Sequence, residues 1–316
     1  MLKTLVLERI HKDGIEAFKS FSSVFEYYDK TKKEIKDIIS GYNILIIKST
    51  TKIDKSFLDQ SINLKVIARA GTGLDNIDLG ELKKRNIKIF SVKRGNTLAT
   101  AEYIIGLIFL LIKNFFLIRL NVEQHNFSRH KMNLEQLNLM NVGIIGMGNL
   151  GYELALRLEK FGCKLYSFDQ LSKNKKKFIK LGGRMMNKLD NLLKKSDIVI
   201  LAASLNKTSR KLINEKNVLC LKNGSYFINC ARANLIDQDV LLEALNKNII
   251  KYAALDLIDP EPVYKKLKQD IHPLIKHPNV FYSPHIASQT VSSQKKISVT
   301  LAKKVKEYFK SIEDYF

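Results

Sequence analysis

Short apolar runs recur along the N-terminal third of the chain: LVLE at 5–8, NILIIK at 43–48, KVIARA at 65–70 and IKIF at 87–90. Each has the length of a strand, and helical spacing fills the stretches between them, so the rhythm predicts a parallel sheet with helical crossovers. A long helical pattern follows from about Thr97 to Asn126, apolar on nearly every side through its first half. Its most apolar part, YIIGLIFLLI at 103–112, ends at Lys113 and Asn114. That is too short for a bilayer, which needs about 20 apolar residues, and a buried interface helix is expected.

NVGIIG at 141–146 opens a second alternation, with strand-like runs KLYSFD (164–169), DIVILA (197–202), SYFINC (225–230), YAALDL (252–257) and NVFYS (279–283). An amphipathic pattern from about Thr290 to Phe309 predicts a closing helix. All five prolines fall between Pro260 and Pro284. That span is either a rigid loop region that sets side chains in place or a surface excursion between strands.

With 316 residues, about two compact domains are expected. The net charge of +22 suits a handler of nucleic acid, anionic lipid or small acidic metabolites. The lysines are dispersed, however, and the densest run, SKNKKK at 172–177, has no interleaved aromatics. It reads as a solvated turn or helix start, so neither nucleic acid nor membrane is an expected partner. Cys163, Cys220 and Cys230 are widely spaced without a CxxC pair, which points away from a disulfide framework or a metal site and toward a reducing cytoplasm. The opening MLKTLVLERI lacks the architecture of a signal peptide.

The first motif with specific chemistry is GMGNLG, with Gly146, Gly148, Asn149, Leu150 and Gly151, set between a strand and a helical pattern. Glycines at this spacing allow a tight turn, close approach of a pyrophosphate and close helix packing, while the helix N-terminus offers unpaired N–H groups. Asp169 stands 18 positions beyond Gly151, at the end of the next strand. A carboxylate there accepts from ribose hydroxyls and repels a 2′-phosphate, which favours NAD over NADP.

Six blocks in order resemble the D-isomer-specific 2-hydroxyacid dehydrogenases, most closely their phosphoglycerate dehydrogenases. They are RAGTGLDNID (69–78), GNTLATAE (95–102), GIIGMGNLG (143–151), NCARANLID (229–237), ALDLIDPEP (254–262) and SPHIAS (283–288). The resemblance implies an α/β chain of two doubly wound parallel-sheet domains. A Rossmann NAD-binding domain (98–286) is inserted into a flavodoxin-like substrate domain made of 1–97 and 287–316, and the NAD domains pair in a homodimer. It further implies NAD-dependent interconversion of a D-2-hydroxy acid and its 2-oxo acid, with 3-phosphoglycerate, on the way to serine, as first choice. Other 2-hydroxy acids, such as those related to hydroxypyruvate, glyoxylate or sugars, are the alternative, and a non-catalytic NAD-sensing corepressor is a more distant one. The regulatory domains of many phosphoglycerate dehydrogenases are not expected here.

Residue by residue, the resemblance implies that Arg232, Glu261 and His285 are catalytic and that Asp256 lies near the nicotinamide carboxamide. Cys230 and Ala231 leave room for the nicotinamide, Gly71 and Thr72 offer backbone N–H groups to the substrate carboxylate, and Arg69 and Arg129 contact 3-phosphoglycerate. The chemistry agrees. An arginine fork grips a carboxylate, and a histidine beside a carboxylate is suited to move a proton near neutral pH. Two departures from the family stand out. Ala233 follows the arginine where glycine is usual, which would be strained if the position required positive φ. Lys93 and Arg94 replace the common Pro-Asn, either to bind an anion or simply to face water. The other histidines are expected on the surface.

Overall fold

The computed structural model describes every residue except 29, 130–133, 172, 261–270 and 314–316. The chain divides into two compact units, Met1–Asn96 with Ser288–Phe316, and Thr97–Ala287.

The first unit contains β1 (Lys3–Val6), α1 (Lys12–Lys19), β2 (Ser23–Glu26), α2 (Lys32–Ile38), β3 (Ile44–Ile47), α3 (Lys55–Leu58), β4 (Val66–Arg69), α4 (Leu79–Lys84) and β5 (Lys88–Ser91). Its five strands are all parallel, in the order β2-β1-β3-β4-β5, which is the flavodoxin-like winding. Alternate residues of the buried strands serve opposite faces. Leu45 and Ile47 join Ile35, Phe57 and Leu82 on one side, whereas Ile44 and Ile46 join Phe18, Leu301 and Val305 on the other. A sheet covered on both faces needs apolar residues at every position, and this is why its strands read as unbroken runs. The edge strand β2 is half exposed, and it lacks such a run.

The middle of the chain, from α5 (Thr97–Ile112) to Ala287, forms the second unit, and the chain then returns to the first as α12 (Val291–Glu313). Helix α12 packs on α1, β4 and β5. A Cβ at Gly14 of α1 would lie 2.3 Å from the Ser298 Cβ of α12, so the two helices meet at a position without a side chain. Gly14→Val should therefore separate them and destabilise the protein by about 1–3 kcal/mol. Urea denaturation checks this; an unchanged midpoint would mean that the contact is not close-packed.

In the second unit, α5 is followed by α6 (Phe115–Glu123), β6 (Asn141–Ile145), α7 (Asn149–Leu158), β7 (Lys164–Phe168), α8 (Lys175–Lys180), β8 (Arg184–Met185), α9 (Leu189–Lys195) and β9 (Ile198–Leu201). Then come β10 (Ser225–Asn229), α10 (Gln238–Asn246), β11 (Ile250–Leu255), α11 (Pro273–Lys276) and β12 (Val280–Tyr282). The seven parallel strands run β12-β11-β10-β9-β6-β7-β8, a Rossmann winding extended by one strand. Helices α5 and α7 cover one face, and α9 and α10 the other.

The single long helix expected from Thr97 to Asn126 is two helices. Asn114 adopts φ 48° and ψ 43°, a left-handed conformation that asparagine tolerates, and its side chain donates to the Tyr252 hydroxyl at 3.1 Å. The axis bends there by 54°. Helix α5 is buried along much of its length, whereas no residue of α6 is buried, and Phe115 and Phe116 are 53% and 54% exposed. Among the described residues, no single helix is long and apolar enough to cross a membrane.

Candidate active site

In the second unit the strand order reverses between β6 and β9, and ligands of such sheets bind outside the carboxyl ends of the strands at that point. The glycine loop follows β6 there. Gly146 has φ +99°, and a Cβ on it would lie 2.6 Å from the Ala203 backbone nitrogen, so the chains leaving β6 and β9 pass too closely for any side chain. A Cβ on Gly151 would lie 2.0 Å from the Gly146 carbonyl oxygen, which fixes how tightly α7 seats behind the loop. At Gly148, the N-cap of α7, an added Cβ would meet nothing within 4 Å. The space before the helix N-terminus is therefore open, and the helix dipole makes it favourable for anions. This glycine cradle fits a pyrophosphate.

The loop is held from outside. Asp169 accepts from the Met147 N–H at 2.7 Å through one oxygen and from the Leu171 N–H at 2.8 Å through the other. Asn174 donates to the Met147 and Gly148 carbonyls, both at 3.1 Å. Asn174 lies inside the lysine run that reads as a solvated turn, so part of that run braces the loop. Only its position after β7 hints at this.

Further along the same sheet edge, β10, β11 and β12 end side by side. The last residue of β10, Asn229, is 1% exposed. Its side chain accepts from the Ala231 N–H at 3.0 Å and donates to the Arg232 carbonyl at 2.9 Å, closing the turn that carries Arg232. The guanidinium of Arg232 donates to the Ala231 carbonyl at 2.7 Å. Ala233 begins a 3-10 turn, Ala233–Leu235, and is not among the residues with positive φ. The strain that replacing glycine would bring at positive φ therefore does not arise.

Asp256 follows β11 and is fully buried. One carboxylate oxygen accepts from the Ser283 hydroxyl at 2.6 Å and the Ile286 N–H at 2.9 Å, and the other from the Ala287 N–H at 2.9 Å. Burial pushes its pKa up, and these donors oppose the rise. The Asp256 N–H donates to the Asn229 carbonyl at 3.0 Å, and the His285 N–H donates to the Asp256 carbonyl at 2.7 Å. A relay of backbone bonds thus links the arginine turn to the histidine loop. His285 itself has φ +55°, uncommon for a residue with a side chain and costing of order 1 kcal/mol or more; the anchored loop around Asp256 holds it there.

Glu261, the expected carboxylate partner of the histidine, lies outside the described residues. Arg129 is exposed beyond α6. Arg69, Gly71 and Thr72 belong to the first unit, at the end of β4. Arg69 is 6% exposed, and its guanidinium lies where a Gly71 side chain would be, with Nη1 1.6 Å from an ideal Cβ. The Gly71 N–H donates to the Arg69 carbonyl at 2.9 Å, while Thr72 is exposed and its hydroxyl donates to Asn96 at 3.3 Å. Three histidines expected simply on the surface have local duties. The His277 ring accepts from the Asn279 N–H at 3.1 Å. The ring nitrogens of His11 and His272 accept from the Asp13 and Leu274 N–H groups, both at 3.2 Å, and cap α1 and α11.

A Rossmann sheet with a glycine cradle at its switch point, and with Arg232 and His285 beyond the ends of β10 and β12 on the same sheet edge, has the arrangement of a dinucleotide-binding α/β protein. The model of the D-isomer specific 2-hydroxyacid dehydrogenase, NAD binding domain, matches residues 105–287, and the chain belongs to this family, with NAD as its cofactor. D-3-phosphoglycerate dehydrogenase of Bacillus subtilis is 28% identical over 313 residues, 99% of this chain but 58% of that protein. Glyoxylate reductase of Thermofilum pendens is 30% identical over 95% of this chain and 89% of its own length. The crystal structure of D-lactate dehydrogenase from Aquifex aeolicus, complexed with NAD and lactic acid, superimposes with a TM-score of 0.86 at 25% identity, covering 98% of this chain and 96% of that one.

Replacing Asp256 by Asn should turn an amide N–H₂ toward one of the three donors and displace the loop that carries His285. We expect kcat to fall more than NADH affinity does, as measured by steady-state kinetics and fluorescence titration. An unchanged kcat would remove Asp256 from any part in aiming the histidine.

Proposed function

We propose that the chain interconverts a D-2-hydroxy acid and its 2-oxo acid with NAD, and that the acid is 3-phosphoglycerate. The observation that carries the first part is the backbone relay through Asn229, Asp256 and His285, which sets Arg232 and His285 on one sheet edge with the glycine loop. When bound, NAD takes or returns the hydride. Arg232 holds the substrate carboxylate through paired N–H groups and polarises the reacting carbon–oxygen bond, which a lysine cannot do in the same geometry. Neutral His285 removes the hydroxyl proton during oxidation, and the imidazolium returns it during reduction. Glu261 stabilises the imidazolium. Cys230 forms a small, neutral wall, since burial pushes its thiol well above the usual range.

Arg69, Gly71, Thr72 and Arg129 complete the reading by holding the carboxylate and phosphate of the substrate. The phosphoglycerate dehydrogenase relatives, which align along nearly the whole chain, support the phosphorylated acid. The glyoxylate reductase relative, matched along most of its own length, supports a smaller one. An NADH-coupled screen separates the two: 3-phosphohydroxypyruvate should be reduced faster than hydroxypyruvate or glyoxylate, and the reverse order would sink the phosphoglycerate assignment. In the same assay Arg232→Ala should lose about 100-fold or more in kcat/KM, the worth of roughly two charge-assisted hydrogen bonds. Full activity in that variant would end the role given to the arginine.

We further propose a homodimer that covers α6, because the helix carries Phe115 and Phe116 half exposed beside Leu117, Leu120 and Val122. Apolar exposure of this density is characteristic of an interface. Phe116→Glu should shift the protein toward monomer in sedimentation velocity; a parent protein that is already monomeric at micromolar concentration would refute the pairing.

A further inference from the structure

The first unit has a switch point of its own. In the order β2-β1-β3-β4-β5 the winding reverses between β1 and β3, whereas Arg69, Gly71 and Thr72 follow β4, one strand away. Outside the carboxyl ends of β1, β2 and β3 lies a cavity of about 740 Å³, within the size range of small-molecule sites. We propose that this crevice is a second binding site, taking a small phosphorylated metabolite.

The lining is strongly cationic. Arg9, Lys30, Lys33, Lys36, Lys48 and Lys52 face the crevice, and among the described residues that line it the carboxylates are Glu8 and Asp54. Both carboxylates serve the local backbone. Glu8 accepts from the Thr50 N–H at 3.3 Å and the Thr51 N–H at 3.0 Å, and Asp54 caps α3 by accepting from the Phe57 N–H at 3.1 Å. Burial alone would raise the pKa of Glu8, but the donors of Lys48, Thr50 and Thr51 outweigh it and hold Glu8 below its ordinary range. Lys30 pairs with Glu34 at 3.1 Å. Among the described residues, Lys33, Lys36 and Lys52 have no carboxylate within ion-pair distance. Converging ammonium groups that lack counter-charges repel one another, and a bound polyanion relieves that repulsion.

The remainder of the wall suits an organic body attached to the phosphate. Tyr27 and Tyr28, from the end of β2, stand with Leu7, Ile35 and Phe57 around the crevice, and Arg9 lies over the Tyr28 ring at 4.8 Å. Lysine binds phosphate as a movable point charge, and the Thr50 and Thr51 side chains add hydroxyls beside it.

Calorimetric titration of the full-length protein with inorganic pyrophosphate, at physiological ionic strength with and without saturating NADH, tests the site. With NADH saturating the glycine loop, one pyrophosphate should bind per chain; without NADH the loop takes a further one. The double variant Lys33→Gln/Lys36→Gln should weaken binding at least tenfold with an unchanged Tm, and Lys175→Gln/Lys176→Gln on α8 should leave it unaltered. Should the first double variant not fold, Lys52→Gln, on an exposed side chain, must weaken binding instead. The proposal fails if no saturable binding occurs, if binding is indifferent to the crevice lysines, or if NADH abolishes it, since the anion would then belong to the glycine loop.

Discussion

A parallel sheet covered by helices on both faces has nothing to offer a ligand except the ends of its strands. Both units are built this way, and both place their chemically distinctive residues at those ends. In the second unit this constraint explains the glycines in detail. Where β6 and β9 lead in opposite directions, their following segments must diverge around a point at which Gly146 has no room for a side chain and Gly148 has nothing in front of it. Crowding behind the loop and open space before it arise from the same topology. In the first unit the corresponding point, between β1 and β3, is lined by lysines rather than glycines. A loop that presents backbone N–H groups recognises phosphate by geometry, whereas a ring of flexible ammonium groups recognises it by charge.

The second requirement is that a buried carboxylate be satisfied. Asp256 is fully buried and accepts three hydrogen bonds from the 283–287 segment. Leaving one of those donors unpaired would cost about 1–3 kcal/mol, so the three together outweigh the roughly 1–3 kcal/mol of holding one residue at positive φ. The balance therefore favours a loop with His285 fixed in a conformation that it would rarely adopt alone. The backbone bonds from Asn229 to Asp256 to His285 tie that loop to the arginine turn, so Arg232 and His285 are aimed by one connected framework.

How much of this could be read from sequence follows from what each feature depends on. The central strands were legible because burial on both faces leaves an unbroken apolar run, as in β3 and β9. The edge strand β2 and the two-residue β8 were not, since half-exposed positions dilute the run and shorten the pattern. The break at Asn114 was hidden because apolar spacing continues through it; one left-handed residue redirects the helix without changing the composition. The glycine loop and the Arg and His segments stood out as motifs. Their supports did not, because Asn229, Ser283 and Asn174 act through hydrogen bonds to backbone atoms brought together only by the fold. Ala233 shows the opposite error. An expectation of strain assumed a positive φ that the 3-10 turn does not require.

Asp169 joins these two kinds of information. Its position at the end of β7 marks it as the carboxylate that would meet a ribose, and repulsion of a 2′-phosphate would follow from its charge. Yet one of its oxygens already accepts from the Met147 N–H, within the glycine loop itself. The same side chain therefore fixes the loop that would cradle a pyrophosphate and would present negative charge to a ribose bound beside it. Removing it would loosen the first function while relaxing the second. Weaker binding of NAD and a gain in NADP tolerance would then come together from one substitution, and cofactor choice in this chain cannot be altered at Asp169 without also disturbing the phosphate loop.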